Sequence, residues 1–209
     1  MSKRGLLICI EGLDKSGKTT QSKLLVENLR GMGFEAFYTS EPSDSEIGRF
    51  IERYVLRRDR RLPVSAEALL FAADRIVHVE REIRPLLDKG KIVVSDRYIY
   101  SSLAYQGAGG LDLKWIMEIN RMVPKPDLAI YLDVPVEVIM ERIQKGRKRS
   151  VMESFEVQVR VREIYLELVR EGFLLLIDGN RPIAEVSREL QRIVLERLGL
   201  KPTKRDATY

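Results

Sequence analysis

Hydrophobic positions along this chain form short continuous runs that alternate with longer segments in which apolar residues recur every three or four positions. The short runs are rich in aliphatic and β-branched residues, which favours strands, whereas the longer segments have the period of amphipathic helices. The predicted strands are 6–10, 35–40, 91–95, 127–134 and 173–178, and the predicted helices are 18–29, 46–58, 65–87, 113–122, 136–144, 153–171 and 183–199. Apolar strands separated by helices are typical of a parallel sheet covered on both faces. The pattern therefore predicts an α/β fold, a three-layer sandwich around a five-stranded parallel sheet.

The length and composition indicate one folded domain. The chain has 209 residues, of which 44% are hydrophobic and 32% charged, and we expect a single domain over 1–200 followed by a tail at 201–209. No apolar run approaches the about 20 residues that span a bilayer. The N-terminal apolar run leads straight into a glycine-rich loop and lacks a signal-peptide cleavage site, so we expect a cytoplasmic protein with no membrane partner.

The cysteine, histidine and charge content limits the kinds of binding site that the chain can form. Cys9 is the only cysteine, which excludes a disulfide framework and cysteine-based metal sites, and its apolar strand predicts burial. His78 is also the only histidine. The net charge is +5, with basic runs at 57–61 and 145–149. Such runs fit a solvated face, a nucleic-acid-binding patch or a site for small phosphate-bearing substrates.

The segment "EGLDKSGKTT" carries the clearest motif. Gly12, Gly17, Lys18 and Thr19 fit G-x-x-x-x-G-K-[ST], after a predicted strand and at the start of a predicted helix. Backbone amides and the helix N-terminus favour anionic oxygens, Lys18 adds a cation at the β- and γ-phosphates, and the Thr19 hydroxyl can ligate Mg²⁺. The segment predicts a nucleoside triphosphate site. No N-K-x-D motif is present, which argues against a GTPase.

Three further segments suggest a second substrate. In "FAADR", Phe71 and Arg75 share a helix face and could stack a base and donate to its carbonyl, although a core Phe with a solvent-facing Arg is the alternative. In "SDRY", Asp96 follows a predicted strand and could hold Mg²⁺ directly or through water, with Arg97 meeting phosphate; the alternative is a helix N-cap aspartate. The segment "SSLAYQG" at 101–107 could read a sugar and a base edge, or could be an ordinary amphipathic helix.

These segments occur in an order that resembles the thymidylate kinase family, a group of P-loop nucleoside monophosphate kinases. "EGLDKSGKTTQ", "EP", "FAADR", "DRYIYSSLAYQG" and a basic segment at about 144–153 follow one another as in that family. The resemblance implies a P-loop kinase fold with a short basic lid, Mg²⁺-dependent in-line transfer from ATP to dTMP giving dTDP and ADP, and a homodimer formed by helix packing. We expect ATP and dTMP as partners, and no nucleic acid.

The resemblance also implies roles for individual residues. Phe71 would stack on thymine and Arg75 would bond its O4, while Tyr105 would crowd the sugar 2′ position. Asp14 would lie near the 3′-hydroxyl of dTMP. The implied dTMP-binding residues are Asp14, Glu41, Phe71, Arg75, Arg97, Ser102, Tyr105 and Gln106. The implied ATP-binding residues are Gly12, Leu13, Asp14, Lys15, Ser16, Gly17, Lys18, Thr19 and Thr20, with Arg142 against adenine. Thr19 and Asp96 would hold the metal.

The chain departs from the family pattern at three places: the glycine loop, the position before "EP", and the lid, which lacks the acidic-plus-arginine signature common in the family. Some family members have an arginine in the glycine loop, and Lys15 occupies that position here. We expect Lys15 to supply a cation for the transfer together with Arg147 or Arg149 of the lid. The alternative is that the basic lid segment is only a solvated loop. Ser40 stands where many members have an arginine before "EP", so Arg49 could meet the dTMP phosphate. The expected catalytic residues are Asp14, Lys15, Lys18, Arg97, Arg147 and Arg149.

Two other functions stay open at this stage. A kinase for another nucleotide or nucleoside, such as dUMP or deoxycytidine, would use the same motifs. A P-loop regulatory or nucleic-acid-binding ATPase would explain the basic runs, but it leaves "FAADR" and "SDRY" without a role.

Overall fold

A parallel sheet of five strands runs through the centre of the protein, which we describe from a computed structural model over residues 4–56, 62–144 and 154–201. The strand order is β2-β3-β1-β4-β5, and every neighbouring pair is parallel. The strands are β1 (Leu6–Glu11), β2 (Ala36–Ser40), β3 (Ile92–Asp96), β4 (Leu128–Asp133) and β5 (Leu175–Asp178). All five predicted strands are thereby confirmed, with ends that shift by one or two residues.

Nine α-helices connect and cover the strands within the described residues. They are α1 (Lys18–Gly31), α2 (Glu46–Phe50), α3 (Val64–His78), α4 (Arg84–Asp88), α5 (Ile99–Ala108), α6 (Leu113–Ile119), α7 (Val136–Gln144), α8 (Phe155–Arg170) and α9 (Ile183–Arg197). π-Helical turns at Ile51–Val55 and Val79–Ile83 extend α2 and join α3 to α4. The segment 64–88 is therefore one long helical element, as its apolar period predicted.

The helices form a layer on each face of the sheet. Because side chains alternate along a strand, Ile8 and Ile10 of β1 belong to a cluster with α1 and α9, whereas Leu7 and Cys9 belong to a cluster with α5 to α8. Cys9 is fully buried, and burial raises the pKa of its thiol well above the usual value. The three-layer sandwich is confirmed. No helix in the described part of the chain is long and apolar enough to cross a membrane.

The strand order places the functional loops together. The chain leaves β1 toward β2 on one side, whereas β3 connects to β4 on the opposite side of β1, and such a change of direction in a parallel sheet creates a crevice for ligands at the carboxyl ends of the strands. The loop after β1, Glu41 after β2 and Arg97 after β3 all lie at this edge. The 144–153 lid falls outside the described residues except for Gln144, and the 201–209 tail falls outside them except for Lys201.

Candidate active site

The loop between β1 and α1 has the backbone of a phosphate cradle. A side chain at Gly12 would place a Cβ 2.9 Å from the carbonyl oxygen of Leu132, so only glycine fits there. Gly17 caps α1 in a left-handed conformation with φ of 98°, which glycine adopts without steric cost. The loop borders a pocket, here called the phosphate pocket, lined by Asp14, Lys15, Gly17, Lys18, Thr19, Thr20, Tyr38, Ser40, Glu41, Pro42, Glu52, Leu56, Asp96 and Arg97.

Lys18 is the buried cation of the phosphate pocket. Its Nζ donates to the carbonyl of Leu13 at 2.7 Å. Burial and the neighbouring Arg97 together lower the pKa of Lys18 to about 8, although Asp14 opposes the shift. An anionic ligand would stabilise the charged ammonium, so the site is poised for phosphate.

Thr19 and Asp96 lie side by side at the floor of the phosphate pocket. The Thr19 hydroxyl donates to Asp96 Oδ2 at 2.5 Å. Asp96 Oδ1 is buried and has no hydrogen-bond partner among the described residues. The N-cap of the helix that follows is Tyr98, so the N-cap interpretation of Asp96 is wrong.

A second cavity, here called the aromatic pocket, opens beside the phosphate pocket. Its walls combine one aromatic ring from α3 with polar groups from α5 and two arginines. It is lined by Asp14, Glu41, Pro42, Leu56, Phe71, Arg75, Arg97, Ser101, Ser102, Tyr105 and Gln106. Such a mixture of apolar walls and a few fixed polar groups is typical of small-molecule sites.

Arg75 is buried and held on several sides. Its guanidinium donates to Glu41 Oε2 from Nε at 2.8 Å, to Asn120 Oδ1 at 2.5 Å and to Ser102 Oγ at 3.1 Å. It also donates to the Tyr98 carbonyl. Only 1% of its side chain is exposed, so the alternative of a solvent-facing arginine is wrong. A planar donor fixed in this way suits recognition of a carbonyl.

Arg97 has a left-handed backbone, with φ of 76°, which is uncommon for a residue with a side chain. Its Nη2 pairs with Asp14, and its Nη1 donates to Ser101 Oγ at 2.9 Å and to the Gly12 carbonyl at 3.4 Å. Its guanidinium lies 5.1 Å from the ring centre of Tyr105. These hydrogen bonds use three of the five N–H groups of an arginine, which leaves donors for a phosphate.

The two pockets meet at a shared wall. Asp14, Glu41, Pro42, Leu56 and Arg97 line both of them. A ligand in the aromatic pocket that carries a phosphate could therefore direct it toward a phosphate chain on the glycine loop. Two adjoining pockets of this kind suit two substrates that must be held together for group transfer.

Comparison with known proteins identifies the family. A family model described as thymidylate kinase matches residues 10–190. This chain belongs to the thymidylate kinase family. A probable thymidylate kinase of Pyrococcus abyssi (strain GE5 / Orsay) is 46% identical over 208 residues, covering 94% of this chain and 100% of the relative. One of Thermococcus kodakarensis (strain ATCC BAA-918 / JCM 12380 / KOD1) is 47% identical, covering 93% and 99%.

A solved thymidylate kinase structure has the same fold. The enzyme from Candida albicans superposes with a TM-score of 0.82 and 30% sequence identity, and the match covers 93% of each chain. That enzyme is described as having a broad substrate specificity. The match extends the family assignment from sequence to three-dimensional architecture.

Two residues expected at the thymidylate kinase site lie at or beyond its edge. Arg142 of α7 donates to the Lys15 carbonyl at 3.1 Å and to Asn180 Oδ1 at 3.4 Å, so it joins the glycine loop to the turn after β5. Arg49 is exposed, donates to the carbonyl and carboxylate of Asp44, and lines neither pocket. The role of Arg142 at adenine and that of Arg49 at phosphate stay predictions.

The lid arginines belong to the part of the chain that the structure does not describe. Arg147 and Arg149 lie in 145–153, outside the described residues. Lys15 borders the phosphate pocket, with an exposed position and φ of 65°. The relative contributions of Lys15 and the two lid arginines therefore stay predictions.

Sequence reasoning missed several buried polar residues that support the site. Glu11 accepts three hydrogen bonds behind Arg97, and Asn120 bonds Arg75. Asp74, next to Arg75, accepts from Ser43 N at 2.8 Å and so fixes the loop after Pro42. One available signal was position, because Glu11 is a charged residue at the end of an otherwise apolar strand.

Proposed function

We propose that this chain transfers the γ-phosphoryl group of ATP to dTMP and releases dTDP and ADP. The observation that carries the proposal is the aromatic pocket with Phe71 and Arg75, which opens onto the phosphate pocket across Asp14 and Arg97. Membership of the thymidylate kinase family supports the same reaction.

The proposed seat of dTMP follows from the lining of the aromatic pocket. The ring of Phe71 stacks on thymine, and Arg75 donates to O4. Ser102 and Gln106 lie against the base edge, while Tyr105 crowds the 2′ position of the sugar. A base with an amino group at position 4 would place a donor against the donor-only guanidinium, which disfavours cytosine.

The proposed chemistry is positioning and charge stabilisation, without a protein nucleophile. Two anionic phosphates have to approach in line, so their repulsion must be offset by cations on the moving group. Arg97, which lines both pockets, and Lys18, which lines the phosphate pocket, provide two of these cations. Lys15, with Arg147 or Arg149, provides the remainder, and an arginine at this place contributes about 10³–10⁵ in rate in related phosphoryl transfers.

The lid contribution can be separated from that of the glycine loop. We expect Arg147→Ala or Arg149→Ala to lower kcat with little change in the KM for dTMP, because the lid cation acts on the transferring group. Lys15→Ala, measured in the same assay, reports the contribution of the glycine loop to kcat. Unchanged kcat in both lid variants would remove the lid from the mechanism.

The floor of the phosphate pocket fits Mg²⁺. Mg²⁺ is commonly held by one or two protein oxygens together with substrate phosphates and water. The adjacent Thr19 hydroxyl and Asp96 carboxylate, with Asp96 Oδ1 buried and lacking a hydrogen bond among the described residues, provide such oxygens. When bound, the ion would neutralise phosphate charge, and Asp96→Asn should raise the Mg²⁺ concentration needed for half-maximal turnover.

We also propose a homodimer that packs through α2 and α3. Phe50 and Tyr54 are 44% and 37% exposed with ring centres 5.0 Å apart, and Leu69 and Ile76 of α3 are 52% and 36% exposed. Leu69 and Ile76 are seven residues apart, so they share one helix face. Sedimentation should show a dimer that Leu69→Glu with Ile76→Glu converts to a monomer. A monomeric parent protein at working concentrations would contradict this.

The expected cytoplasmic location stays a prediction that cell fractionation would test.

A substrate panel tests the function directly. Purified protein with ATP and Mg²⁺ should release ADP in the presence of dTMP, and more slowly or not at all with dUMP, dCMP, thymidine or deoxycytidine. Lys18→Ala is the control for contaminating kinases, because it removes the buried cation of the loop. Absence of dTMP turnover would reject the proposal, and faster turnover of another acceptor would reassign the substrate.

A further inference from the structure

Glu11 is a buried carboxylate that has no role in the proposed transfer. It is the last residue of β1 and has 0% exposure. Its Oε1 accepts from the Tyr98 backbone N–H at 2.8 Å, and its Oε2 accepts from Ser101 Oγ at 2.6 Å and from Tyr165 Oη at 3.0 Å. A carboxylate this deeply buried is costly unless donors surround it, so the three hydrogen bonds need an explanation.

The donors that surround Glu11 belong to the segment that carries Arg97. Tyr98 follows Arg97 directly, and Ser101 lies one helical turn after it. The Ser101 hydroxyl, which donates to Glu11, accepts from Arg97 Nη1 at 2.9 Å. Glu11 is thus linked to Arg97 through the backbone on one side and through the guanidinium on the other.

The backbone of Arg97 requires such support. Its φ of 76° lies in the left-handed region, which is strained for a residue with a Cβ and persists only where the surroundings hold it. The bond from Tyr98 N to Glu11 fixes the peptide that immediately follows this strained residue. Tyr165, the third donor, is itself held by stacking on Tyr131, with ring centres 4.6 Å apart.

The charges around Arg97 favour the same arrangement as the hydrogen bonds of Glu11 do. Burial raises the pKa of Glu11, while Ser101, Arg97 and Tyr165 oppose the rise by stabilising the anion. Glu11 lines neither pocket and accepts no hydrogen bond directly from the guanidinium, so its negative charge balances Arg97 without using any of the arginine's donors. Asp14 balances it from the pocket side.

We propose that Glu11 is a positioning residue that holds Arg97 in its left-handed backbone and aims its guanidinium at the phosphate of the acceptor nucleotide. This inference rests on the proposed function and on the role of Arg97 at the phosphate of dTMP that the family resemblance implies. Glu11 touches neither substrate and acts through Tyr98 and Ser101.

The experiment compares the binding of dTMP and thymidine by calorimetry. The dissociation constant of thymidine divided by that of dTMP, here called the phosphate ratio, reports what the phosphate adds to affinity and is insensitive to contacts with base and sugar. Glu11→Gln keeps the side-chain shape but removes the charge and replaces an acceptor by an amino group. We expect this variant to lower the ratio about tenfold, in the range of a lost charge-assisted hydrogen bond, while the thymidine constant changes little.

Asp127→Asn is the matched control. Asp127 Oδ2 accepts from the Leu7 backbone N–H at 2.8 Å, the same kind of carboxylate–amide bond, but near the start of β1 rather than at its end. This variant should destabilise the protein without changing the phosphate ratio. If Asp127→Asn lowers the ratio as much as Glu11→Gln does, the effect reflects general destabilisation and the inference is wrong.

A double-mutant cycle separates positioning from stability. In an Arg97→Ala background, Glu11→Gln should leave the phosphate ratio unchanged, because the residue through which it acts is gone. If Glu11→Gln lowers the phosphate ratio in the Arg97→Ala background as much as it does in the parent protein, the inference is overturned. If Glu11→Gln does not fold, Ser101→Ala breaks the link to the guanidinium and takes its place in the cycle, and an unaltered ratio in Ser101→Ala would equally overturn it.

Failure of the inference can be told apart from failure of the proposed function. If the parent protein binds dTMP no better than thymidine, the assigned role of Arg97 fails and the inference fails with it. If the parent shows a phosphate contribution that Arg97→Ala abolishes and Glu11→Gln preserves, the proposed function stands and Glu11 has no positioning role.

Discussion

The Asp14 carboxylate and the Arg97 guanidinium form an ion pair at the wall shared by the two pockets. Burial would raise the pKa of Asp14, but Arg97 and Lys18 outweigh it and the pKa is lowered. Asp14 is therefore ionised, but Arg97 pairs with its carboxylate. The glycine loop thus carries no unpaired negative charge beside the phosphate site. The side chain of Asp14 stays 38% exposed, so it can also meet a ligand in the aromatic pocket.

The first prediction concerns the sugar contact of Asp14. If its carboxylate accepts from the 3′-hydroxyl of dTMP, Asp14→Asn should lower kcat/KM for dTMP about tenfold, because a hydrogen bond to a charged group is weakened. The preference for dTMP over its 3′-deoxy analogue should shrink in the variant. Steady-state kinetics with both acceptors measures this preference.

Asp44→Asn controls for charge in the Asp14 experiment. Asp44 is an exposed carboxylate that also pairs with an arginine, Arg49, outside both pockets. Its replacement should leave the preference between the two acceptors intact. If Asp14→Asn prefers dTMP over its 3′-deoxy analogue as strongly as the parent protein does, Asp14 serves only as the partner of Arg97.

The second prediction concerns the aromatic wall at Phe71. Stacking of a base on an aromatic side chain contributes about 1–3 kcal/mol, so Phe71→Ala should raise the Kd of dTMP about tenfold or more. Phe71→Leu should recover the apolar contact but not the stacking. The Kd of ATP should stay within about twofold, because Phe71 does not line the phosphate pocket.

Phe173→Ala is the matched aromatic control. Phe173 is 45% exposed and contacts Tyr100 with ring centres 6.4 Å apart, and it lines neither pocket of the site. Its loss should leave dTMP binding unchanged. Equal dTMP affinity in Phe71→Ala and the parent would remove the stacking role.

The sequence could predict those features that depend on local pattern. A continuous apolar run fixes each strand, and the spacing of Gly12, Gly17 and Lys18 fixes the loop, because both are properties of neighbouring residues. Phe71 and Arg75 line the same pocket because residues four positions apart lie about one helical turn apart and share a helix face. The family resemblance added which ligand such a pocket holds.

The supporting residues could not be predicted because their partners are distant in sequence. Asn120 meets Arg75 across 45 positions, and Glu11 meets Tyr98 across 87. No period or motif encodes such a pair, since only the folded sheet brings the two together. For Arg49, a contact with its near neighbour Asp44 directs the side chain away from the pockets.

The third prediction is a pH dependence of ATP binding. Burial lowers the pKa of Lys18 to about 8, so the free protein loses this charge as pH rises through 8. Because phosphate favours the protonated form, ATP affinity should fall about tenfold between pH 7 and pH 9, with proton uptake on binding near pH 8. Calorimetry in two buffers of different ionisation heat measures that uptake.

Lys18→Arg tests whether Lys18 is the titrating group. An arginine stays charged throughout this range, so the fall in ATP affinity between pH 7 and pH 9 should disappear even if overall affinity is lower. A variant that still loses affinity over this range would assign the titration to another group.

The fourth prediction concerns the stability conferred by His78, the only histidine of the chain. Its ring is buried, which opposes charge, yet its contacts with Glu41 and Glu82 raise its pKa to about 9. A pKa raised above the unfolded value of about 6.5 adds stability that is complete below pH 6.5 and is lost as pH rises through 9. His78→Gln should therefore cost about 1–3 kcal/mol more at pH 6 than at pH 9.5, a figure reduced because Glu82 is half exposed.

Urea unfolding of parent and variant at both pH values measures this difference in the free energy of unfolding. Glu82→Gln serves as the graded control, since it removes the exposed partner and keeps the buried one, and it should lose part of the pH dependence. A constant gap between parent and His78→Gln from pH 6 to pH 9.5 would mean that the ring is neutral throughout. The hydrogen bond between His78 Nε2 and Thr39 Oγ1, at 2.6 Å, would then account for its burial without any charge.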